Sequence, residues 1–425
     1  MTNKPGAGQE ETPLRTEAPY YPPGDEESAA LASGQRRIGG VSRYVFMLGV
    51  VSLFADLAGE MIYPLVPIFL TVTLGAPTEI LGIVEGVAES AASLLRVVSG
   101  WISDRVGRRK PLVLLGYGLG ALGKPLLAIA FSWWFVLGAR FIDRVGKGIR
   151  GAPRDALIAE WSPPSERGRA FGFHRMMDTT GAIGGPLIAL AGLALLEDNL
   201  RLLFLIAFIP GIAAVLFVLP VRDRPTAPTH RPPPISFRLA GYSREYKAFL
   251  LVALVFALGN SSDAFLILRA SDLGLSTTSV VLAYVLYNVV YAASALPAGI
   301  VSDIAGRRNV ILAGFAIFAA VYLGFAIVEN TLMVWILFAI YGAYIALTDG
   351  VARALVVDMV PEARRATAIG LYNTVAGLMV LVASVTAGFL WDRVSPAAPF
   401  IYGAGTAALA AVLLLILLPR HVRAE

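Results

Sequence analysis

No cysteine occurs in the 425 residues, which excludes disulfides, thiolate metal sites and a cysteine nucleophile. Histidine is scarce too, at three residues, so a histidine-built metal cage is not expected. The third shortage is charge: 15% of residues are Asp, Glu, Lys or Arg, against about 25% in soluble domains. In their place stand 56% hydrophobic residues and a mean hydropathy of +0.69. A soluble core of this length cannot bury that much apolar surface, so an ordinary globular enzyme, a disordered chain and a nucleic-acid binder are excluded. A polytopic membrane protein remains. Twelve spans at about 20 residues each use about 240 residues, and loops take the rest.

Residues 1–42 mix proline, glycine and acids and read as a disordered cytoplasmic tail without a cleavable signal. From Tyr44 long apolar runs alternate with short polar breaks, giving twelve spans that begin near 43–72 and end near 396–419. The third and fourth, 111–131 and 132–158, are separated only by FSWW, and the seventh is expected over 247–270. Lys and Arg crowd the even-numbered breaks and are rare in the odd ones, so both termini are expected in the cytoplasm. The stretch 221–246, with its PPP run, reads as a cytoplasmic linker between an amino-terminal bundle, 43–220, and a carboxy-terminal bundle, 247–419; residues 420–425 form a short tail.

The chain repeats itself. GWISDRVGRR (100–109) returns as GIVSDIAGRR (299–308), 199 residues later, and PPSERGRAFG (163–172) returns as PEARRATAIG (361–370), 198 later. Glu160 ahead of the second motif answers to Asp358. The halves are therefore expected to be parallel six-helix repeats, with both motif loops in the cytoplasm.

Gly100, Asp104, Arg105, Gly107, Arg108 and Arg109 match the G-x-x-x-D-R-x-G-R-R loop of the major facilitator superfamily, and Gly299, Asp303, Gly306, Arg307 and Arg308 form a partial second copy. From about 43 to 419 the chain resembles that family. The resemblance implies an all-α polytopic membrane protein with twelve transmembrane helices as two six-helix repeats, and a gating loop that clamps the halves in one conformation and releases in the other. Ile304 replaces Arg105 in the second copy, which implies a weaker clamp there.

In the fifth span Gly172, Gly181, Gly185 and Pro186 resemble a signature that the family associates with exporters exchanging substrate for protons. Glycines four apart let another backbone come close, and Pro186 bends the helix. The fourth span is unusually charged. Arg140 resembles a buried arginine of the family, although Asp143 and Arg144 stand where Gln and Gly are usual. An intramembrane charge must be paired or hydrated. Arg140, Arg144 and Lys147, with Arg96 and Arg175, face the acids Asp56, Glu60, Glu85, Glu89, Asp143 and Asp178. Two readings of this set stand side by side: a structural salt-bridge lattice, or a coupling and substrate site. Asp56 is the first choice for a protonatable coupling residue, being about 18 Å deep at 1.5 Å per residue, followed by Glu60, Glu89 and Asp178. Glu85, near the external surface, is expected to be wet; Arg150, Arg154 and Asp155 are expected at a solvated helix end, and His174 is read as a packing residue.

The second half is milder. Asp263 sits at mid-depth of the seventh span, and Tyr284, Asn288 and Tyr291 share a face of the eighth. With Tyr341, Tyr344, Tyr372 and Asn373 they are expected to form an aromatic, hydrogen-bonding wall of a central cavity. GYGLGALGK (116–124) is no nucleotide-binding loop, since it lies within an apolar helix. No enzymatic constellation, cofactor or metal is expected. Three functions fit: a proton-coupled exporter of an amphipathic or cationic small molecule; an importer or exchanger of an anionic metabolite; or a non-transporting membrane receptor. The expected setting is the bacterial plasma (inner) membrane, as a monomer in the lipid bilayer without nucleic acid.

Overall fold

The computed structural model describes residues 37, 38, 40–163, 166–223, 239, 241–361 and 364–419. The expected carboxy-terminal tail, most of the linker and residues 1–36 lie outside them. The amino-terminal tail ends earlier than its composition suggests: Arg37–Ile38 pairs antiparallel with Val41–Ser42. Ser42 then caps helix α1 (Arg43–Glu60) and donates from Oγ to Trp161 O at 2.9 Å.

The rest is helical. Beyond α1, Pro64 and Pro67 remove two backbone donors, and the ladder continues only as a 3₁₀ turn (Tyr63–Leu65), the short α2 (Val66–Ile68) and a π segment (Phe69–Thr73). Then follow α3 (Thr78–Val106), α4 (Lys110–Ala128), α5 (Trp133–Glu160), α6 (Arg167–Leu195), α7 (Leu200–Ile206) and α8 (Phe208–Val218). The second half runs α9 (Arg244–Ala257), α10 (Ala264–Asp272), α11 (Thr277–Ala305), α12 (Arg307–Ile327), α13 (Thr331–Asp358), α14 (Arg365–Arg393) and α15 (Ala398–Leu417).

Among the described residues, nine helices are long and apolar enough to cross a membrane. The expected count of twelve falls short in three places, each for a visible reason. Helices α3 and α5 are 29 and 28 residues long, but their ionisable side chains dilute the apolar stretch. The expected seventh span is broken between α9 and α10, where GNSSD replaces helix.

At one end, here termed the motif end, lie the two repeated loops. At the other, the halves close on each other along α3 and α14. A Cβ at Gly82 would meet Ser384 O at 2.2 Å, and one at Gly388 would meet Thr78 O at 2.8 Å. Ser90 Oγ donates to Gly377 O at 2.7 Å, and Asp392 accepts from Glu79 N at 2.7 Å. Small residues thus bring two backbones into contact over the first half of α3.

The repeat is visible as paired anchors. Arg109 binds Glu160, and Arg307 binds Asp358 at 2.6 Å. Lys110 Nζ donates to Leu219 O at 2.6 Å, and Arg308 donates to Leu415 O at 2.9 Å. Aligning the glycines of the two loops pairs Arg108 with Arg307, yet the contacts pair Arg109 with Arg307, one residue later. The cause is the turn. Gly107 is left-handed (φ 65°) and α4 starts three residues on, whereas Gly306 adopts φ 88°, ψ 133° and α12 starts at once.

Candidate functional site

A cavity of 410 Å³ lies between the halves, lined by Asp56, Glu60, Glu89, Lys147, Asp178 and Asn288 among others. It adjoins a second hollow of 640 Å³ that reaches Gly299, Ser302 and Asp303, so the space opens toward the motif end. Asp56 and Glu60 sit one turn apart on α1. Helix α6 supports them directly: a Cβ at Gly181 would lie 2.7 Å from Leu53 O and 3.0 Å from Asp56 Cβ, and one at Gly185 would lie 2.7 Å from Leu57 O and 2.9 Å from Glu60 Cβ. Gly172, the first glycine of that motif, faces open space, while Pro186 is buried.

Asp56 has no hydrogen bond or ion pair among the described residues, nor has Lys147 across the cavity. Glu60 accepts from the Tyr284 hydroxyl at 2.8 Å, a bond between halves. Asn288 donates to its own helix at Tyr284 O, 3.0 Å. Toward the motif end, Ser52 Oγ meets His174 Nε2 at 2.9 Å, His174 Nδ1 lies 3.5 Å from Asp178, and Arg154 donates to Ser52 at 3.2 Å. Arg175 donates to the Tyr291 hydroxyl, which reaches Asp349 at 3.4 Å, and Asp349 also holds Arg353.

Behind this wall runs a lattice of buried ion pairs. Arg140 forks onto Glu85 at 2.9 and 2.7 Å, both side chains 1% exposed. One turn along both helices, Arg144 meets Glu89 at 3.1 Å. Asp143 takes Lys124 Nζ at 2.6 Å, and both Arg140 and Arg144 stand over the Tyr63 ring at 5.6 Å. Glycines make the approach possible: a Cβ at Gly123 would lie 2.9 Å from Asp143 Cβ. Glu89 belongs to both arrangements, pairing with Arg144 while lining the cavity.

Several expectations are corrected. Glu85 is not wet but the partner of the most deeply buried arginine. Arg150 and Arg154 are not on a solvated helix end: they line the cavity with Lys147, and Arg150 lies over the Tyr117 ring at 4.4 Å. Arg140, Asp143 and Arg144 are paired within the lattice and do not line the cavity. Asp263 turns away from it as well, accepting from Tyr341 at 2.7 Å and Tyr287 at 3.2 Å inside the second half. Lys124 and Tyr63 join the lattice without being among the residues that the sequence pattern selects. A lone lysine in an apolar run was the available signal, because such a charge requires a partner.

In both loops the acid pairs within its own half. Asp104 lies 3.6 Å from Arg109, whose backbone N donates to Asp223 at 3.2 Å; Asp303 lies 3.8 Å from Arg307. Burial pushes the Arg109 guanidinium below its ordinary value, opposed by Asp104. Arg105 stacks on Trp101 at 5.2 Å, Arg108 is exposed, and Gly100 packs on Ala152 while Gly299 faces open space.

The two helical repeats agree with a family profile that fits the chain twice. The profile of the Major Facilitator Superfamily fits residues 48–268 and again 248–425. The chain belongs to this family. It is 37% identical over 385 residues to an uncharacterized MFS-type transporter of Methanocaldococcus jannaschii, covering 89% of this chain and 95% of that one. It is 31% identical over 174 residues, 41% of either chain, to the multidrug resistance protein MdtH of Cronobacter sakazakii. Among solved structures, the peptide transporter POT superposes with a TM-score of 0.74 at 13% identity, over 92% of this chain and 97% of that one, a likeness of fold. The protein is thus an integral membrane transporter.

Proposed function

We propose that this transporter works by alternating access and exchanges protons for an amphipathic or cationic small molecule that it exports. The observation that carries the reading is Asp56: a carboxylate in the cavity wall with no fixed partner can take up and release a proton without breaking an ion pair. Charges that only hold helices together look different, as Arg140 and Glu85 do. The motif glycines Gly181 and Gly185 support the same reading, since they seat α6 against α1 at Asp56 and Glu60. So does the partial likeness to a multidrug resistance protein.

With the basic loops in the cytoplasm, the motif end faces inward and the cavity is open to the cell interior, closed outside by the α3–α14 seam. Rocking of the halves at 43–220 and 247–419 about the linker 221–246 would exchange the two openings. The protein then acts as a monomer in a bacterial inner membrane, and the three expected spans outside the apolar nine are α3, α5 and the broken α9–α10 pair. A second reading, transport of an anionic solute, is favoured by Lys147, which lines the same cavity without a fixed partner.

The test is purified protein in liposomes with an imposed pH gradient, a panel of cationic, neutral and anionic solutes, and internal pH as the readout. Proton flux elicited by cations supports export by exchange. Proton flux elicited only by anions moves the assignment to the second reading, and no solute-dependent proton flux defeats proton coupling.

A further inference from the structure

The two repeats share one packing unit in which the residue at a single position differs greatly in size. In the first half, a Cβ at Gly116 would meet Arg150 Cβ at 2.6 Å, and the Arg150 guanidinium lies over the neighbouring Tyr117 ring. In the second half, 198 residues later, a Cβ at Gly314 would meet Thr348 Cγ2 at 2.5 Å, and Phe315 replaces Tyr117. Thr348 turns its hydroxyl back onto Tyr344 O at 3.0 Å and fills nothing beyond. Behind Tyr117 and Arg150 only 10 Å³ is left, with Arg150 also lining the 410 Å³ cavity between the halves, and the hollow bounded by Phe315 and Thr348 holds 220 Å³.

That larger cavity lies within the second half, between α9, α12, α13 and α14. Two stacked ring pairs form its walls: Phe256 on Phe315 with centroids 4.3 Å apart, and Phe249 on Tyr372 at 5.9 Å. Its lining includes Asn260, whose side chain has no hydrogen bond among the described residues, and Asp349, which also lines the 640 Å³ hollow open to the motif end. An apolar cavity of about 150 Å³ admits benzene, so this one has room for a substituted ring. The rest of the ligand would meet a carboxylate on the way out.

We propose that the cavity at Thr348 is a binding subsite for the ring of an aromatic ammonium compound, with Asp349 holding its cationic nitrogen at the mouth. The wall is aromatic, which suits a flat apolar group, and the charged residue in its lining is Asp349, which favours a cation over an anion of the same shape once Arg353 gives way. Arg353 and Tyr291 now occupy Asp349. An arriving ammonium competes with Arg353 for that carboxylate, which also accepts from Tyr291, and the Tyr291 hydroxyl in turn accepts from Arg175 of the other half. The proposal names the substrate class of the export reading and rests on it for the transport step, but the subsite itself is tested by binding alone.

The experiment is equilibrium binding, without any gradient, of three probes that share one ring: benzylamine, benzyl alcohol and benzoate. Purified full-length protein should bind benzylamine best. Ala376→Leu, which places a branched side chain in the cavity, should weaken benzylamine at least tenfold; Thr348→Arg, which copies the first repeat, should do the same. Asp349→Asn should leave benzyl alcohol unchanged and remove the preference for benzylamine over it. Thermal melting of each variant identifies folded protein, and Ala376→Leu keeps the test open if Thr348→Arg does not fold. Unchanged benzylamine binding in a folded cavity-filling variant overturns the proposal, as does equal binding of benzylamine and benzyl alcohol by the wild type. A failure of proton coupling in liposomes with this binding pattern intact would overturn the export reading and leave the subsite standing.

Discussion

Asp56 and Arg140 are both ionisable side chains between helices, yet among the described residues only Arg140 of the two is ion-paired. Removing one member of a buried pair strands the other and costs about 3–5 kcal/mol. Arg140→Ala and Glu85→Ala should each lower stability by about that much in detergent, and the double variant should recover part of the loss, as a denaturation cycle will read. Additive losses would mean that the pair is not coupled. Asp56→Asn should behave otherwise: flux against a gradient abolished, downhill exchange and binding retained, and melting close to wild type. A melting loss as large as that of Arg140→Ala would make Asp56 a structural residue. From the sequence most members of this charged set were legible, Lys124 excepted, because each intramembrane charge calls for an opposite one. The pairing was not, since Glu85 to Arg140 and Glu89 to Arg144 depends on the rotation of α3 against α5, which spacing along one chain leaves open.

Single glycines control how closely the elements approach. Gly181 stands against the backbone of α1, so Gly181→Val must push α6 away from Asp56 and Glu60. Its transport should fall at least tenfold, with a lower melting temperature, while Gly172→Ala, which meets open space, should transport normally; equal effects at the two positions would refute the packing argument. The sequence showed the glycine motif as a unit, and the structure divides it into glycines that meet α1 and one that meets nothing. It also showed the helices, with ends displaced by a few residues. Three irregular places escaped the hydropathy pattern: the π segment after Pro67, the break at Ala207 between α7 and α8, and the gap between α9 and α10. Each interrupts the backbone ladder inside a run that is apolar overall, and hydropathy does not sense that ladder. The register slip between the two loops has a similar origin, being set by glycine dihedrals that identical letters conceal.

In the proposed transport cycle the two halves open one cavity alternately to either side. Among the described residues Asp104 meets only Arg109, within its own half, which fits the proposed clamp in its released state. Asp104→Asn should therefore strongly reduce transport while leaving folding and substrate binding intact, because it shifts a population rather than a site; Asp303→Asn should do so more weakly. Normal flux in Asp104→Asn at equal expression would contradict that role. Because the chain has no cysteine, single labels report without background. Cysteines within 221–246 should react only from the cytoplasm and those near Ala76 and Asp198 only from outside, and the reverse pattern would overturn the orientation. The same background allows the most direct measurement: the distance distribution between spin labels on Arg105→Cys and Ile304→Cys, one on each loop at the motif end, as pH is varied. Two populations should be present, with their ratio changing with pH in the wild type and fixed in Asp56→Asn. A single distribution indifferent to pH, or an unchanged pH response in Asp56→Asn, would contradict the account.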